Sequence, residues 1–143
     1  MKLLVDRKDK LPEEQLVNAV VRFLSNNGYR IRTEVPNMGQ SADVVATRGR
    51  WITFIEVKRK DWRRALVQCR AHEQVADFVC VAIGTKSVSP LLQQEIKFAG
   101  YGLIHCVGQT ECEWILTPTR NAGVWAPQRR KLSEILRTID HVN

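Results

Sequence analysis

The stretch from Ser41 to Lys60 constrains the fold of this chain more than any other, because two short apolar segments flank a glycine-containing turn. The segments 42–46 and 51–57 are rich in β-branched and aromatic residues, which favour strands. Between them, residues 47–50 (Thr-Arg-Gly-Arg) supply the glycine that a tight hairpin needs. The sequence therefore predicts a β-hairpin.

Charged residues interrupt this apolar pair, and the turn decides which of them face each other. If residues 49–50 are the central pair of the turn, Asp43 lies directly opposite Glu56. Opposed residues in an antiparallel pair have Cβ atoms roughly 4.5–5.5 Å apart. If residues 48–49 are central instead, Asp43 faces Phe54 and the two carboxylates separate.

Lys58 lies two residues after Glu56, so both side chains point to the same face of the strand. Like charges that face each other across strands are destabilising, and a divalent cation between two carboxylates would remove that cost. The alternative is a hairpin with a solvated, charged end. The apolar run 51–55 argues against it, because such a run is too apolar to be open to water on both faces.

Asp43, followed after twelve residues by Glu56-Val57-Lys58, resembles the motif of the PD-(D/E)XK nuclease superfamily, with Ala42 in place of the usual proline. The resemblance implies a Mg²⁺ or Mn²⁺ ion held by Asp43, Glu56 and the backbone carbonyl of Val57. It also implies that Lys58 orients the attacking water or stabilises the negative charge that develops on the phosphate.

Two further residues are candidates for this site through the resemblance. The first helix of the superfamily often carries an acid that joins the metal site, and Glu13 lies on the apolar stripe of the predicted first helix, whereas Glu14 does not. The alternative for Glu13 is an acid that simply suits a helix N-terminus. Some branches carry Q-x-x-x-Y in the next helix, where this chain has Gln68 and His72. Gln68 is expected near phosphate or water, whereas His72 is interpreted as part of a polar helix face.

A basic composition points to a polyanionic partner. The chain has 22 Lys and Arg against 15 Asp and Glu, a net charge of +7. Nucleic acid is favoured over a membrane surface because the positive charge clusters around the hairpin and the helix after it. Ser41 joins this set through the resemblance, because the predicted loop over 37–41 lies beside Asp43 and the corresponding loop of related resolvases is small, polar and close to DNA. The alternative is an ordinary connector between strands. The candidate DNA-binding residues are Arg48, Arg50, Arg59, Lys60, Arg63, Arg64, Arg70 and Ser41.

The cysteines and the hydropathy of the chain favour the cytoplasm. The four cysteines show no metal-binding spacing, and Cys80 and Cys106 lie in apolar runs, which predicts buried thiols. No signal peptide is predicted, and no run approaches the ~18 apolar residues of a membrane span. A reducing, cytoplasmic location is expected.

The order of predicted elements indicates one α/β domain over residues 1–143. A lead-in precedes a helix that opens at Pro12, and a loop over 37–41 follows the first strand. The predicted strands are 29–35, 42–46, 51–57, 78–83, 103–107 and 113–116, and the predicted helices are 12–26, 62–74, 90–98 and one from 127 onward. This order resembles the restriction-endonuclease-like α-β-β-β-α-β core, which has a mixed central sheet flanked by helices.

The resemblance is closest to archaeal and phage Holliday-junction resolvases, which implies a metal-dependent, structure-specific DNA endonuclease of DNA recombination and repair, acting as a homodimer on branched or duplex DNA. Two alternatives remain. One is a restriction-like nuclease, or a nuclease subunit whose specificity comes from another protein. The other is a nucleic-acid-binding protein that keeps this fold but does not cut.

Overall fold

The computed structural model describes the backbone of residues 2–37, 40–107, 111–139 and 141–142, and within these ranges all side chains except those of 2–12, 34, 36–37 and 40–42. The helices are α1 (Lys2–Asn26), α2 (Trp62–Arg70), α3 (Pro90–Phe98) and α4 (Ala126–Thr138). The strands are β1 (Arg30–Asn37), β2 (Gln40–Arg48), β3 (Trp51–Lys58), β4 (Phe78–Ile83), β5 (Gly102–Val107) and β6 (Glu111–Leu116).

The strands form one mixed sheet in the order β1-β2-β3-β4-β5-β6. β1, β2 and β3 are antiparallel neighbours, β3, β4 and β5 run parallel, and β6 returns antiparallel to β5. A parallel pair needs a crossover connection, and α2 provides it between β3 and β4. The predicted α-β-β-β-α-β core with a mixed sheet flanked by helices is therefore confirmed.

Helices cover both faces of this sheet. Leu16 and Val20 of α1 pack with Ile55 of β3 in one apolar cluster. Phe54, the neighbour of Ile55, packs in a second cluster that contains buried residues of α2, α3 and α4. Because successive side chains of a strand point to opposite faces, β3 contributes to both clusters. A strand that is buried on both faces has a continuous apolar sequence, as β3 does.

The turn between β2 and β3 sets the register of the hairpin. Gly49 has a φ of 60°, a conformation that residues other than glycine rarely adopt. Arg48 pairs with Trp51, so residues 49–50 are the central pair of the turn, which is the first of the two alternatives that the sequence left open. The register that places the two carboxylates opposite each other therefore holds.

The ends of several elements differ from the prediction. α1 begins at Lys2, so the lead-in predicted before Pro12 is wrong. β1 continues past Pro36 and β2 begins at Gln40, so most of the loop predicted over 37–41 is strand; residues 38–39 lie outside the described residues. Pro36 is tolerated because β1 is an edge strand, where the missing N–H breaks no central ladder.

Two further corrections concern α2 and the cysteines. α2 ends at Arg70 rather than near residue 74, and the following turn carries Val75 and Ala76 into the core. Cys106 is not a thiol but forms a disulfide with Cys112, which faces it across β5 and β6 with the Cα atoms 4.0 Å apart. Cys80 is a free, buried thiol as predicted. None of the helices in the described ranges is long and apolar enough to span a bilayer.

Candidate functional site

Two carboxylates meet at the end of the hairpin opposite the turn. The last pair recorded between β2 and β3 joins Val44 to Ile55, and one further step places Asp43 opposite Glu56. Asp43 is half-buried, and its Oδ2 accepts a hydrogen bond of 2.9 Å from the backbone N–H of Val57. Glu56 is only 1% exposed. The two acids thus lie side by side at the edge of the core.

The surroundings of Asp43 favour its protonated form when no cation is present. Burial is the main cause that raises the pKa of Asp43 from 3.8 to about 6. The neighbouring Glu56 carboxylate acts in the same direction, whereas the hydrogen bond from the Val57 N–H and the charge of Lys58 lower the pKa. Because burial disfavours the charged form of a carboxyl group, a proton or a nearby cation would each relieve that cost.

His72 lies against the second carboxylate. Its Nε2 is 2.6 Å from Oε1 of Glu56, and its ring packs edge-on against Phe54 with the centroids 4.7 Å apart. Because His72 is completely buried, the expectation that it belongs to a polar helix face is wrong. The sequence held a signal for this contact, since His72 continues the buried, core-facing stripe of Ala65 and Cys69 by spacing.

Lys58 and Glu13 complete this end of the sheet. The Lys58 Nζ lies 3.9 Å from Oε1 of Glu13, and the side chain of Lys58 is 18% exposed. Of the two acids weighed at the start of the first helix, Glu13 is the one that reaches the hairpin. It contacts the lysine, which is adjacent to the carboxylates in sequence.

Gln68 lies on α2, one helical turn before His72. Its Oε1 is buried and accepts no hydrogen bond from the part of the chain that the structure describes. A buried polar atom of this kind calls for a ligand, often an ordered water. The role predicted for Gln68, as a residue that holds water or phosphate, stays a prediction.

The basic residues after β3 lie on the surface near the carboxylates. Asp61 caps α2 by accepting a 3.2 Å hydrogen bond from the backbone N–H of Arg64, and the guanidinium of Arg63 stacks on the ring of Trp62 at 4.4 Å. The exposed residues of this surface, which we call the α2 basic surface, are Arg59, Lys60, Arg63, Arg64 and Arg70.

Arg48 and Arg50 do not lie around the carboxylates, which corrects the expectation that they do. They flank the hairpin turn, five strand residues beyond Asp43, which is about 17 Å at roughly 3.3 Å per residue. Arg48 stacks on Tyr29 at 4.5 Å. Ser41 pairs with Pro36 near the start of β2, and its side chain lies outside the described residues. The role of all three in DNA binding stays a prediction.

The residues present fit a hard divalent cation of the Mg²⁺ type. Among the described residues no group of three or more His, Cys, Asp or Glu side chains is placed to hold a metal ion. Mg²⁺ does not need one, because it binds through one or two carboxylates and completes its coordination with waters and substrate phosphates. Asp43 and Glu56 supply two carboxylates, and burial, with a smaller contribution from Glu56, raises the pKa of Asp43.

Comparison with known proteins adds information on the fold alone. No protein-family model and no curated protein matches the chain. The structure is similar to that of SPO1766, a protein of unknown function from Silicibacter pomeroyi, with a TM-score of 0.70 and 22% identity over 89% of this chain and 84% of that one. It is also similar to AF1548, a second protein of unknown function, with a TM-score of 0.52 and 20% identity over 64% of this chain and 58% of that one.

Proposed function

We propose that this protein is a metal-dependent endonuclease that hydrolyses phosphodiester bonds in DNA. The observation that carries the proposal is the opposition of Asp43 and Glu56 at the edge of the core, where the pKa of Asp43 rises to about 6. Strongly perturbed carboxyl groups beside a lysine are typical of functional sites, because a structural ion pair would be arranged to relieve the repulsion.

Asp43, Glu56 and the backbone carbonyl of Val57 would hold Mg²⁺ or Mn²⁺. When bound, such an ion polarises a phosphate oxygen and lowers the pKa of a water molecule. The side chains of the protein supply the remaining contributions to cleavage. Lys58 places a positive charge where the attacked phosphate gains negative charge, and Glu13 holds the lysine in place.

Two neighbouring residues position this machinery without taking part in the bond changes. His72 fixes the orientation of the Glu56 carboxylate through the 2.6 Å contact, as outer-shell groups do around metal ligands. Gln68 offers a buried carbonyl oxygen that accepts no hydrogen bond from the described residues, and it can hold a water molecule near the carboxylates.

The partner we propose is DNA, and the α2 basic surface would bind its phosphates. Contacts of this kind position a duplex without reading its sequence. The resemblance to Holliday-junction resolvases favours a structure-specific enzyme for branched DNA, acting as a homodimer on recombination or repair intermediates.

Cleavage of linear duplex, flap and four-way junction DNA, each with Mg²⁺, Mn²⁺ or EDTA, tests the proposal. We expect metal-dependent cleavage, strongest on a branched substrate, and a loss of at least about 10³-fold in Asp43→Asn and Glu56→Gln, which keep the size of each side chain. Glu14→Gln, at an exposed acid beside Glu13, is the matched control and should cut normally. Cleavage that persists in EDTA or in either variant rules out the mechanism. Binding without cleavage in every metal would establish a non-cutting DNA-binding protein.

A further inference from the structure

Two cavities meet at the turn end of the hairpin, and Trp51 lines both of them. The first has a volume of about 610 Å³ and is lined by charged side chains that include Arg50 and Arg120; we call it the arginine cavity. The second has a volume of about 390 Å³ and is lined by rings that include Tyr29 and Phe78; we call it the aromatic cavity.

One acid lines the arginine cavity, and its charge is already balanced. Asp77 is buried, and its Oδ2 accepts hydrogen bonds from Arg129 Nη2 at 2.9 Å and from the backbone N–H of Ile52 at 2.8 Å. Asp77 and Arg129 therefore form a neutral pair that anchors α4 against β3. This pair leaves the charge of the cavity to the two other arginines.

Arg50 and Arg120 keep their charges available. Their guanidinium groups lie 4.5 Å and 4.8 Å from the centre of the Trp51 ring, and neither forms an ion pair with an acid of the described ranges. Stacking uses the flat face of a guanidinium and leaves its N–H edge free for a phosphate, which Arg binds in a bidentate manner. Two arginines that stack on one ring thus bring two uncompensated positive charges to the arginine cavity.

The aromatic cavity supplies a different kind of contact. Four rings line it, those of Tyr29, Trp51, Phe78 and Trp114, and Arg48 stacks on Tyr29. Rings of this kind bind nucleobases by stacking, and they do so with any base. A base paired inside a duplex is not available for such a pocket, so the ligand must have an unpaired base.

We propose that the turn end of the hairpin binds one nucleotide unit of a single-stranded nucleic acid, with its phosphate in the arginine cavity and its base in the aromatic cavity. The position of Trp51 between the two cavities matches the attachment of base and phosphate to one sugar. The choice of nucleic acid as ligand rests on the proposed function, although the site lies about 17 Å from the carboxylates at roughly 3.3 Å per residue of strand.

The test measures binding alone, in Asp43→Asn protein with EDTA, so that no strand is cut. The probe is a fluorescein-labelled oligothymidylate, titrated by anisotropy over a series of salt concentrations. Arg50→Ala with Arg120→Ala removes the proposed phosphate contacts. Arg130→Ala with Arg137→Ala, at exposed positions of α4 that line neither cavity, is the charge-matched control. Thermal unfolding of both double variants checks that they fold equally well.

We expect the cavity variant to bind at least tenfold more weakly than the control, and its log–log salt slope to fall by about 1.4, or about 0.7 for each lost contact with a single strand. Competition identifies the ligand: 5′-thymidylate should displace the probe at about one-tenth of the concentration that inorganic phosphate needs, because its base stacks. The oligonucleotide should bind more tightly than either.

Three results would overturn the proposal. The first is equal affinity and slope in the two double variants. The second is inorganic phosphate competing as well as 5′-thymidylate, which leaves no base site. The third is 5′-thymidylate binding as tightly as the oligonucleotide, which makes the ligand a free nucleotide. None of these depends on cleavage, so a failure of the endonuclease assay is distinguishable from a failure here.

Discussion

One acid lies at each end of the β2–β3 hairpin, and the two acids have different surroundings: Asp77, which precedes β4, contacts the turn end, and Asp43 belongs to the other end. At the turn end, Asp77 has a guanidinium and a backbone N–H as partners, so its charge is compensated. At the other end, Asp43 has one backbone N–H and faces a second carboxylate, Glu56, and its pKa rises to about 6. The first acid forms an ion pair within the fold, whereas the second has no cationic partner at hydrogen-bond distance among the described residues. The uncompensated charges at the turn end are positive, which suits binding of phosphate rather than chemistry on it.

Of the substitutions that distinguish the two ends of the hairpin, one at Lys58 should have the largest effect on cleavage. If its charge acts on the phosphate during bond cleavage, Lys58→Ala should lower kcat by about 10²–10³-fold with little change in DNA affinity. Lys60→Ala, at an exposed neighbour on the same segment, should weaken binding slightly and leave kcat unchanged. Single-turnover cleavage together with an equilibrium binding titration measures both. An unchanged kcat with weaker binding would make Lys58 an ordinary phosphate contact.

A smaller loss of activity is expected from a change at His72, which contacts the Glu56 carboxylate. His72→Asn should raise the Mn²⁺ concentration needed for half-maximal cleavage by about 10–100-fold, because outer-shell partners of metal ligands have effects of this size. The matched control is His105→Asn, since His105 is also buried and its Nε2 lies 2.6 Å from the carbonyl oxygen of Thr85. Both variants should lose stability, but only the first should change the metal requirement. Equal metal requirements in the two variants would make His72 purely structural.

The contrast between the two ends also shows what the sequence could and could not predict. The glycine at position 49 limited the turn to two registers, and in one of them simple counting placed Asp43 opposite Glu56, which is the register the structure has. Helical spacing favoured Glu13 over Glu14, and Glu13 contacts Lys58, although its role at a metal site stays a prediction. Local geometry determines relations of this kind.

The errors came from properties that depend on the whole sheet. Arg48 and Arg50 are close to Glu56 in sequence, but an extended strand moves the chain about 3.3 Å per residue, so a cluster in sequence is not a cluster in space. Pro36 predicts the end of a strand unless β1 is known to be an edge strand of the sheet. The contact between His72 and Glu56, and the disulfide partner of Cys106, depend on how α2 and β6 pack against β3 and β5.

Stability provides a third test of the contrast, because the pKa of Asp43 in the folded protein lies above its unfolded value of 3.8. The folded state then binds the proton more tightly, so this group loses stability as the pH rises from about 4 through about 6. Asp43→Asn mimics the protonated form and should be more stable than wild type in EDTA at pH 8, by about 1 kcal/mol after solvent screening of a half-exposed group.

Urea unfolding of both proteins at pH 4 and pH 8 measures this difference, which should nearly vanish at pH 4. Mg²⁺ at pH 8 should then stabilise wild type more than the variant, because the ion takes the place of the proton. Parallel pH profiles for the two proteins would show that the pKa of Asp43 is not raised in the folded protein.

The smallest expected effect is that of removing positive charge from the α2 basic surface. Its measurement tests whether duplex DNA binds at the carboxylate end of the hairpin. The charges of Arg63 and Arg64 reach solvent, the former stacked on Trp62 and the latter at the first turn of α2. If both contact duplex phosphates, the double alanine variant should lower the log–log salt slope by about two, since each contact releases about 0.9 counterion. Arg130→Ala with Arg137→Ala again serves as the charge-matched control and should leave the slope unchanged.

The weakening of binding in the α2 variant should be the same for every duplex sequence, because phosphate contacts carry no base information. A loss confined to one sequence would instead indicate base reading and favour the restriction-like alternative. An unchanged slope in the α2 variant, with a reduced slope in the α4 control, would place the duplex along α4 and away from Asp43 and Glu56, and the proposed division of the hairpin into a cutting end and a binding end would then fail.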